Sequence, residues 1–198
     1  MGGRAVFLDR DGVINQERDY VHRKEDFVFL PGVPEALGRF HELGWLTVLV
    51  TNQAGIAYGY YSPEDFLALS AWMQGELAPF NAAFDGIFFC PHHPEKGQGE
   101  YLCSCPSRKP GPGMLLAAAR RLDIDLPSSV MIGDRMGDVE AGRRAGCRMS
   151  YLVSTGKPLP DFPEGAPDFL RSSLADIAGE LPRAGEPRLA APVPPVLC

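Results

Sequence analysis

Apolar residues along this chain alternate between two spacings. Short, nearly continuous apolar runs occur at Arg4 to Leu8, Trp45 to Val50, Asp85 to Phe89, Val130 to Ile132 and Ser150 to Val153, which read as buried strands. Between them the apolar positions recur at helical intervals. Ala36, Leu37, Phe40 and Leu43 mark one face of a helix predicted over Pro34 to Leu43, opened by proline and stopped at Gly44. Ser62 and Pro63 supply a cap and a first-turn proline for a second helix, whose face carries Phe66, Leu69, Met73, Leu77 and Phe80. Further helices are predicted over Pro112 to Leu122, Val139 to Ala145 and Ser172 to Leu181. Strands alternating with helices predict an α/β domain, a three-layer sandwich around a central parallel sheet. One domain over residues 1–181 accounts for all of these elements. The Pro- and Ala-rich stretch 182–198 has no periodicity and is expected to be a disordered tail.

In such a Rossmann-like sheet, ligands bind beyond the carboxyl ends of the strands. Here those ends carry Asp9 and Asp11, then Thr51, then Cys90, then Asp134. One polar strand end is only a loop; several on one sheet edge make a site. Asp9 and Asp11 leave an extended strand on the same side, and two close carboxylates are costly unless a cation neutralises them. Each piece also has a plain structural reading. Asp11-Gly12 is good turn chemistry, Asp138 can cap the helix that follows Gly133-Asp134, and Arg108-Lys109 can be a solvated basic pair.

Composition narrows the possible functions. Hydrophobic residues make up 45% and charged residues 22%, enough for a core without disulfides. The net charge of -6 and pI near 5.2 argue against non-specific nucleic-acid binding. A phosphate-bearing ligand must therefore be attracted by a local cluster or a metal ion. Met1 to Leu8 lacks the longer apolar stretch of a secretory signal, and no stretch approaches a membrane span. A cytoplasmic monomer with no membrane and no nucleic-acid partner is expected. Three of the five cysteines crowd together in Cys90-Pro91-His92-His93-Pro94 and Cys103-Ser104-Cys105. Three thiolates and an imidazole match a structural zinc shell, and the Gly-rich, charged gap between them has no apolar pattern on which to fold alone. A redox pair at Cys103 and Cys105 is the competing reading.

In this order, Phe7-Leu8-Asp9-Arg10-Asp11-Gly12-Val13, Thr51-Asn52-Gln53, Arg108-Lys109-Pro110 and Gly133-Asp134-Arg135-Met136-Gly137-Asp138 resemble the four motifs of the haloacid dehalogenase superfamily. The resemblance spans most of the chain, from Ala5 to Val153. It implies that Asp9 is a covalent nucleophile, that Asp11 is its acid and base partner, and that Thr51 and Lys109 hold the phosphoryl oxygens. It further implies Mg2+ on Asp9, Asp134 and the main-chain carbonyl of Asp11. An acid two residues after the nucleophile is similar to the phosphatase branch.

The Cys/His loop resembles the zinc loop of heptose-bisphosphate and histidinol-phosphate phosphatases. That implies Zn2+ on Cys90, His92, Cys103 and Cys105, with His93 as the spare ligand. Asp19-Tyr20-Val21-His22, Phe27, Phe29 and Pro31-Gly32-Val33 resemble the heptose group. By that resemblance a small phosphorylated sugar is contacted by Glu17, Arg18, Asp19, Tyr20, Thr51, Asn52, Gln53, Ala54, Arg108, Lys109 and Arg135. The implied reaction is removal of the 7-phosphate of heptose 1,7-bisphosphate. The alternatives are hydrolysis of histidinol phosphate or another sugar phosphate and, from another class, a non-catalytic zinc-stabilised binding module. Two features depart from or refine the pattern. Pro106-Ser107 separates the last cysteine from Arg108-Lys109, and no insertion is long enough to form a cap, so an uncapped site is expected.

Overall fold

The computed structural model describes residues 2–154, 166–183 and 194–197. Its strands are β1 (Ala5–Leu8), β2 (Leu46–Asn52), β3 (Gly86–Cys90), β4 (Val130–Gly133), β5 (Met149–Val153), β6 (Phe169–Arg171) and β7 (Val196–Leu197). They lie in the order β6-β5-β4-β1-β2-β3-β7, and every pair is parallel. The helices are α1 (Val33–Glu42), α2 (Ala54–Ala57), α3 (Pro63–Leu77), α4 (Gly113–Leu122), α5 (Met136–Ala145) and α6 (Leu174–Glu180).

The two-residue period of a strand explains the layers. On β1, Val6 and Leu8 enter one core with Leu37 and Phe40 of α1, Phe66 and Met73 of α3 and Ile177 of α6. Ala5 and Phe7 enter the other with Met114 and Leu115 of α4 and Ala141 of α5. Both faces are covered, as a parallel sheet requires. The predicted three-layer α/β sandwich is therefore the observed fold. Among the described residues nothing forms a separate cap domain.

The differences have local causes. β2 extends two residues beyond the predicted run because Thr51 and Asn52 keep pairing with Phe89 and Cys90. The helix face predicted to reach Phe80 ends at Leu77, since Pro79 follows, and Phe80 is exposed. Helix α2 had no apolar signal to reveal it. In the stretch 182–198, expected to be irregular, Val196–Leu197 pairs with Phe88 and Phe89 at the sheet edge. Residues 184–193 lie outside those described. No described helix is long and apolar enough to cross a membrane.

A buried polar knot ties α1 to the amino-terminal ends of β2 and β3, opposite the functional edge. The Asp85 carboxylate accepts from the Thr47 amide at 2.8 Å and lies 3.3 Å from His41 Nε2, while His41 Nε2 is 2.9 Å from Thr47 Oγ1. Replacing Asp85 by Ala takes the acceptor from a buried amide, which costs about 1–3 kcal/mol. We expect urea unfolding of Asp85→Ala to show that loss, with turnover at 25 °C unchanged.

Candidate active site

Because β1 lies between β2 and β4, the residues that follow these three strands meet at one edge. A main-chain bond from Asp9 N to Ile132 O, 3.0 Å, fixes the start of the β1 loop against β4. Carboxylate oxygens of Asp9, Asp134 and Asp138 come within 4.8 Å of one another. Lys109 reaches into this group from the loop before α4. Its Nζ lies 2.8 Å from Asp9 Oδ1 and 2.7 Å from Asp138 Oδ1, and it donates to Val50 O at 2.8 Å. Burial would lower the Lys109 ammonium, but Asp138 and Asp9 outweigh it and hold it protonated above the usual lysine range. Burial pushes the Asp9 carboxyl up to about 6; Lys109 opposes the shift and Asp138 adds to it.

Asp11 has the opposite environment. The buried Arg10 guanidinium grips its carboxylate with two bonds of 3.1 and 2.9 Å, donates to Val21 O at 2.6 Å and lies 5.8 Å from the centre of the Phe66 ring. Asn15 Nδ2 donates to Asp11 at 3.0 Å and Gln53 Nε2 at 3.2 Å. Burial would raise the Asp11 carboxyl, but Arg10 and the two amides hold it below the usual range. Gln53 also donates to Thr51 Oγ1 at 2.9 Å, and Tyr61 OH donates to Gln53 Oε1 at 2.5 Å. Gly12 makes this loop possible. It has φ +84°, and a Cβ there would sit 2.4 Å from Asp134 Oδ2.

The carboxylates floor a cleft of about 520 Å3 lined by Glu17, Asp19, Tyr20, Asn52, Gln53, Ala54, Arg108, Lys109 and Arg135, among others. Arg135 Nη2 meets Glu17 Oε2 at 2.6 Å across the mouth. Arg108 stays in the cleft wall despite the Pro106-Ser107 insertion, with its Nη1 donating to His92 O at 3.0 Å. Of the expected contacts, Arg18 is not brought in: it is exposed and bonds Gln16 Oε1 at 3.0 Å. Asn52 faces the cleft edge, but its amide is bonded to the main chain of Lys109. Two roles escaped the sequence reading. Asp138, expected as the second acid of the motif after β4 or as a helix cap but not as a partner of Lys109, accepts from Arg135 N at 3.0 Å and also holds Lys109. Its signal was the spacing of four from Asp134 across the start of α5. Tyr58, which lines the cleft and packs edge-on against Tyr20 at 5.7 Å, left no such signal.

The Cys/His loop is partly gathered. Cys90, His92 and Cys105 offer ligand atoms within 4.8 Å of one another, with Cys90 Sγ 3.6 Å from His92 Nδ1. Cys103 is exposed and outside this group. His93 Nδ1 instead accepts the amides of Glu95 and Lys96, so it is turned away.

A buried ammonium among carboxylates, at the carboxyl ends of parallel strands, defines a phosphatase site of the haloacid dehalogenase type. The model of the HAD-hydrolase-like family matches residues 106–177. D-glycero-beta-D-manno-heptose-1,7-bisphosphate 7-phosphatase of Haemophilus influenzae is 46% identical over 180 residues, 91% of this chain and 97% of that protein. The alpha-anomer 7-phosphatase of Burkholderia mallei is 50% identical over 153 residues, 77% of this chain and 81% of that protein. The crystal structure of D,D-heptose 1,7-bisphosphate phosphatase from B. bronchiseptica, complexed with magnesium and phosphate, superposes with a TM-score of 0.75 at 35% identity. It covers 89% of this chain and 97% of that one. The chain belongs to the haloacid dehalogenase-like family, within its group of heptose-bisphosphate phosphatases.

Two outcomes test this geometry. In the metal-free protein the Asp9 carboxyl resonance, assigned by its loss in Asp9→Asn, is expected to titrate near pH 6 and to move lower on adding Mg2+. Gly12→Ala, which forces Asp134 aside, is expected to raise the Mg2+ concentration for half-maximal phosphate release by about tenfold or more.

Proposed function

We propose that this phosphatase removes the 7-phosphate of D-glycero-D-manno-heptose 1,7-bisphosphate through an aspartyl-phosphate intermediate, as a cytoplasmic monomer. The observation that carries the chemistry is the clasp of Lys109 between Asp9 and Asp138 on the floor of the cleft. An ammonium there neutralises an incoming phosphoryl group, and Asp9 Oδ attacks phosphorus in line with the leaving sugar oxygen. Thr51 Oγ1 donates to a phosphoryl oxygen. Asp11 gives a proton to the leaving oxygen and then takes one from the water that cleaves the acyl phosphate, which regenerates Asp9. Arg108 and Arg135 flank the cleft and suit the second phosphate or the sugar hydroxyls.

The residues fit both metals. Asp9, Asp134 and Asp138 form an oxygen donor set with more negative charge than Lys109 neutralises, and the missing Cβ of Gly12 leaves room beside Asp134. Asp9, Asp134 and the Asp11 carbonyl would hold Mg2+, which supplies charge neutralisation of the phosphoryl group. For Zn2+, burial pushes the Cys90 thiol up to about 12, so it becomes a thiolate ligand only if a metal displaces its proton. Cys90, His92 and Cys105 are near one another and would supply three ligands, while Cys103, two positions before Cys105, lies outside the group.

The substrate assignment is supported by the relatives' names, and those relatives include both anomers. Phosphate release with Mg2+ from the two heptose 1,7-bisphosphate anomers, histidinol phosphate and fructose 1,6-bisphosphate decides it. A heptose bisphosphate preferred by several orders of magnitude in kcat/KM is the expected result, and a flat profile sinks the assignment. Asp9→Asn is expected to abolish turnover with an unchanged circular dichroism spectrum; residual turnover above about one-thousandth would rule out Asp9 as nucleophile.

A further inference from the structure

Asn52 follows Thr51 at the end of β2, where a polar side chain facing the cleft invites assignment as a sugar contact. Its bonds point elsewhere. Asn52 Nδ2 donates to Lys109 O at 3.0 Å, and Asn52 Oδ1 accepts from Lys109 N at 3.0 Å. Both ends of the amide are thus engaged by one residue's main chain, in the manner of a short strand pair. Asn52 is itself held by register, since it pairs with Cys90 and the next amide, Gln53 N, donates to Cys90 O at 2.8 Å.

We infer that Asn52 is a positioning residue that fixes the Lys109 ammonium relative to the Thr51 hydroxyl and Asp9. Thr51 and Asn52 share one strand, so clamping the main chain of Lys109 to Asn52 sets the distance between the two groups that hold phosphoryl oxygens. The far end of Lys109 is set by Val50 O, Asp9 and Asp138, and Val50 belongs to the same strand. Four consecutive positions, from Val50 through Gln53, therefore organise the hydroxyl, the ammonium and, through Gln53 and Asp11, the acid.

This placement also accounts for the tolerated insertion. Pro106-Ser107 lies before the clamp, and the loop closes on itself there: Arg108 N donates to Cys105 O at 3.1 Å, Gly111 N to Arg108 O at 2.7 Å and Gly113 N to Pro106 O at 3.1 Å. Extra residues upstream lengthen that turn, while Lys109 remains pinned to the sheet. Loop length is thereby separated from catalytic register.

The inference rests on Lys109 acting on the phosphoryl group. Its test compares Asn52→Ala with wild type on heptose 1,7-bisphosphate and on acetyl phosphate, which has no sugar. Activities are normalised to the folded fraction by circular dichroism. A positioning role predicts that kcat falls about 10- to 100-fold on both substrates while KM stays within about threefold, since a displacement near 1 Å suffices for such a loss. A loss confined to the sugar ester and expressed in KM overturns the inference and makes Asn52 a sugar contact. Unchanged kcat on both substrates overturns it as well. If heptose bisphosphate proves not to be the preferred ester, the acetyl phosphate arm still reads Asn52, so the two failures separate.

Discussion

The site depends on one buried cation. Lys109 Nζ sits among Asp9, Asp138 and the Val50 carbonyl, nearly excluded from solvent. Three carboxylates close together on a sheet edge would each resist ionisation at such depth. A single ammonium offsets part of that repulsion and leaves the cluster net negative. The residue of charge is what a divalent ion can satisfy, and the ammonium and the ion together can then receive a phosphate dianion. The clasp is therefore asymmetric: removing Lys109 leaves three carboxylates with no ammonium among them, whereas removing Asp9 leaves Lys109 paired with Asp138.

Asp9 and Asp11 show how one strand end produces two different acids. They are two residues apart and both are nearly buried, yet their environments push them in opposite directions. Asp9 is raised chiefly by burial, with Lys109 opposing the shift and Asp138 adding to it. Asp11 faces the Arg10 fork and two amides and is held ionised. An ionised Asp11 is ready to take a proton from water in the second half of the reaction. To give one in the first half, it must be protonated against Arg10, which an arriving phosphate dianion favours by adding negative charge nearby. Tyr61, through Gln53, fixes the Asp11 carboxylate in the meantime.

The fold was legible because both of its periods are strong. Buried parallel strands read as continuous apolar runs, and the helices carried prolines, caps and glycine stops. What the pattern missed was short or weakly apolar: α2 with its small residues, β6, and the two-residue β7. Of the site, the residues that immediately follow strands were readable, since position alone sends Asp9 and Asp134 to the functional edge, and Thr51 lies one residue before the end of β2 at the same edge. The role of Asp138 was not, because its helix-cap function and its bond to Lys109 use the same carboxylate, and only the first has a local signal. Asn52 is the converse case. A strand-end amide next to Thr51 reads as a ligand donor, and no one-dimensional pattern shows that a main chain 57 residues away consumes both its ends.

The rim, not the floor, must choose the substrate. The floor groups suit any phosphoryl group, and among the described residues no cap domain encloses a particular alcohol. Selection therefore falls to side chains that three separate loops bring to the mouth. Glu17 and Tyr20 come from the β1 loop, Tyr58 from the end of α2, and Arg108 from the Cys/His loop, where the His92 carbonyl steadies its guanidinium. On a chain of net charge -6, the cations at the cleft mouth are local, and each is restrained by a neighbour: Arg135 by Glu17, Arg108 by a main-chain oxygen. The Cys/His loop thus lies within one hydrogen bond of the substrate cleft. A metal that ordered Cys90, His92 and Cys105 would steady the His92 carbonyl and, through it, the Arg108 guanidinium in the cleft wall.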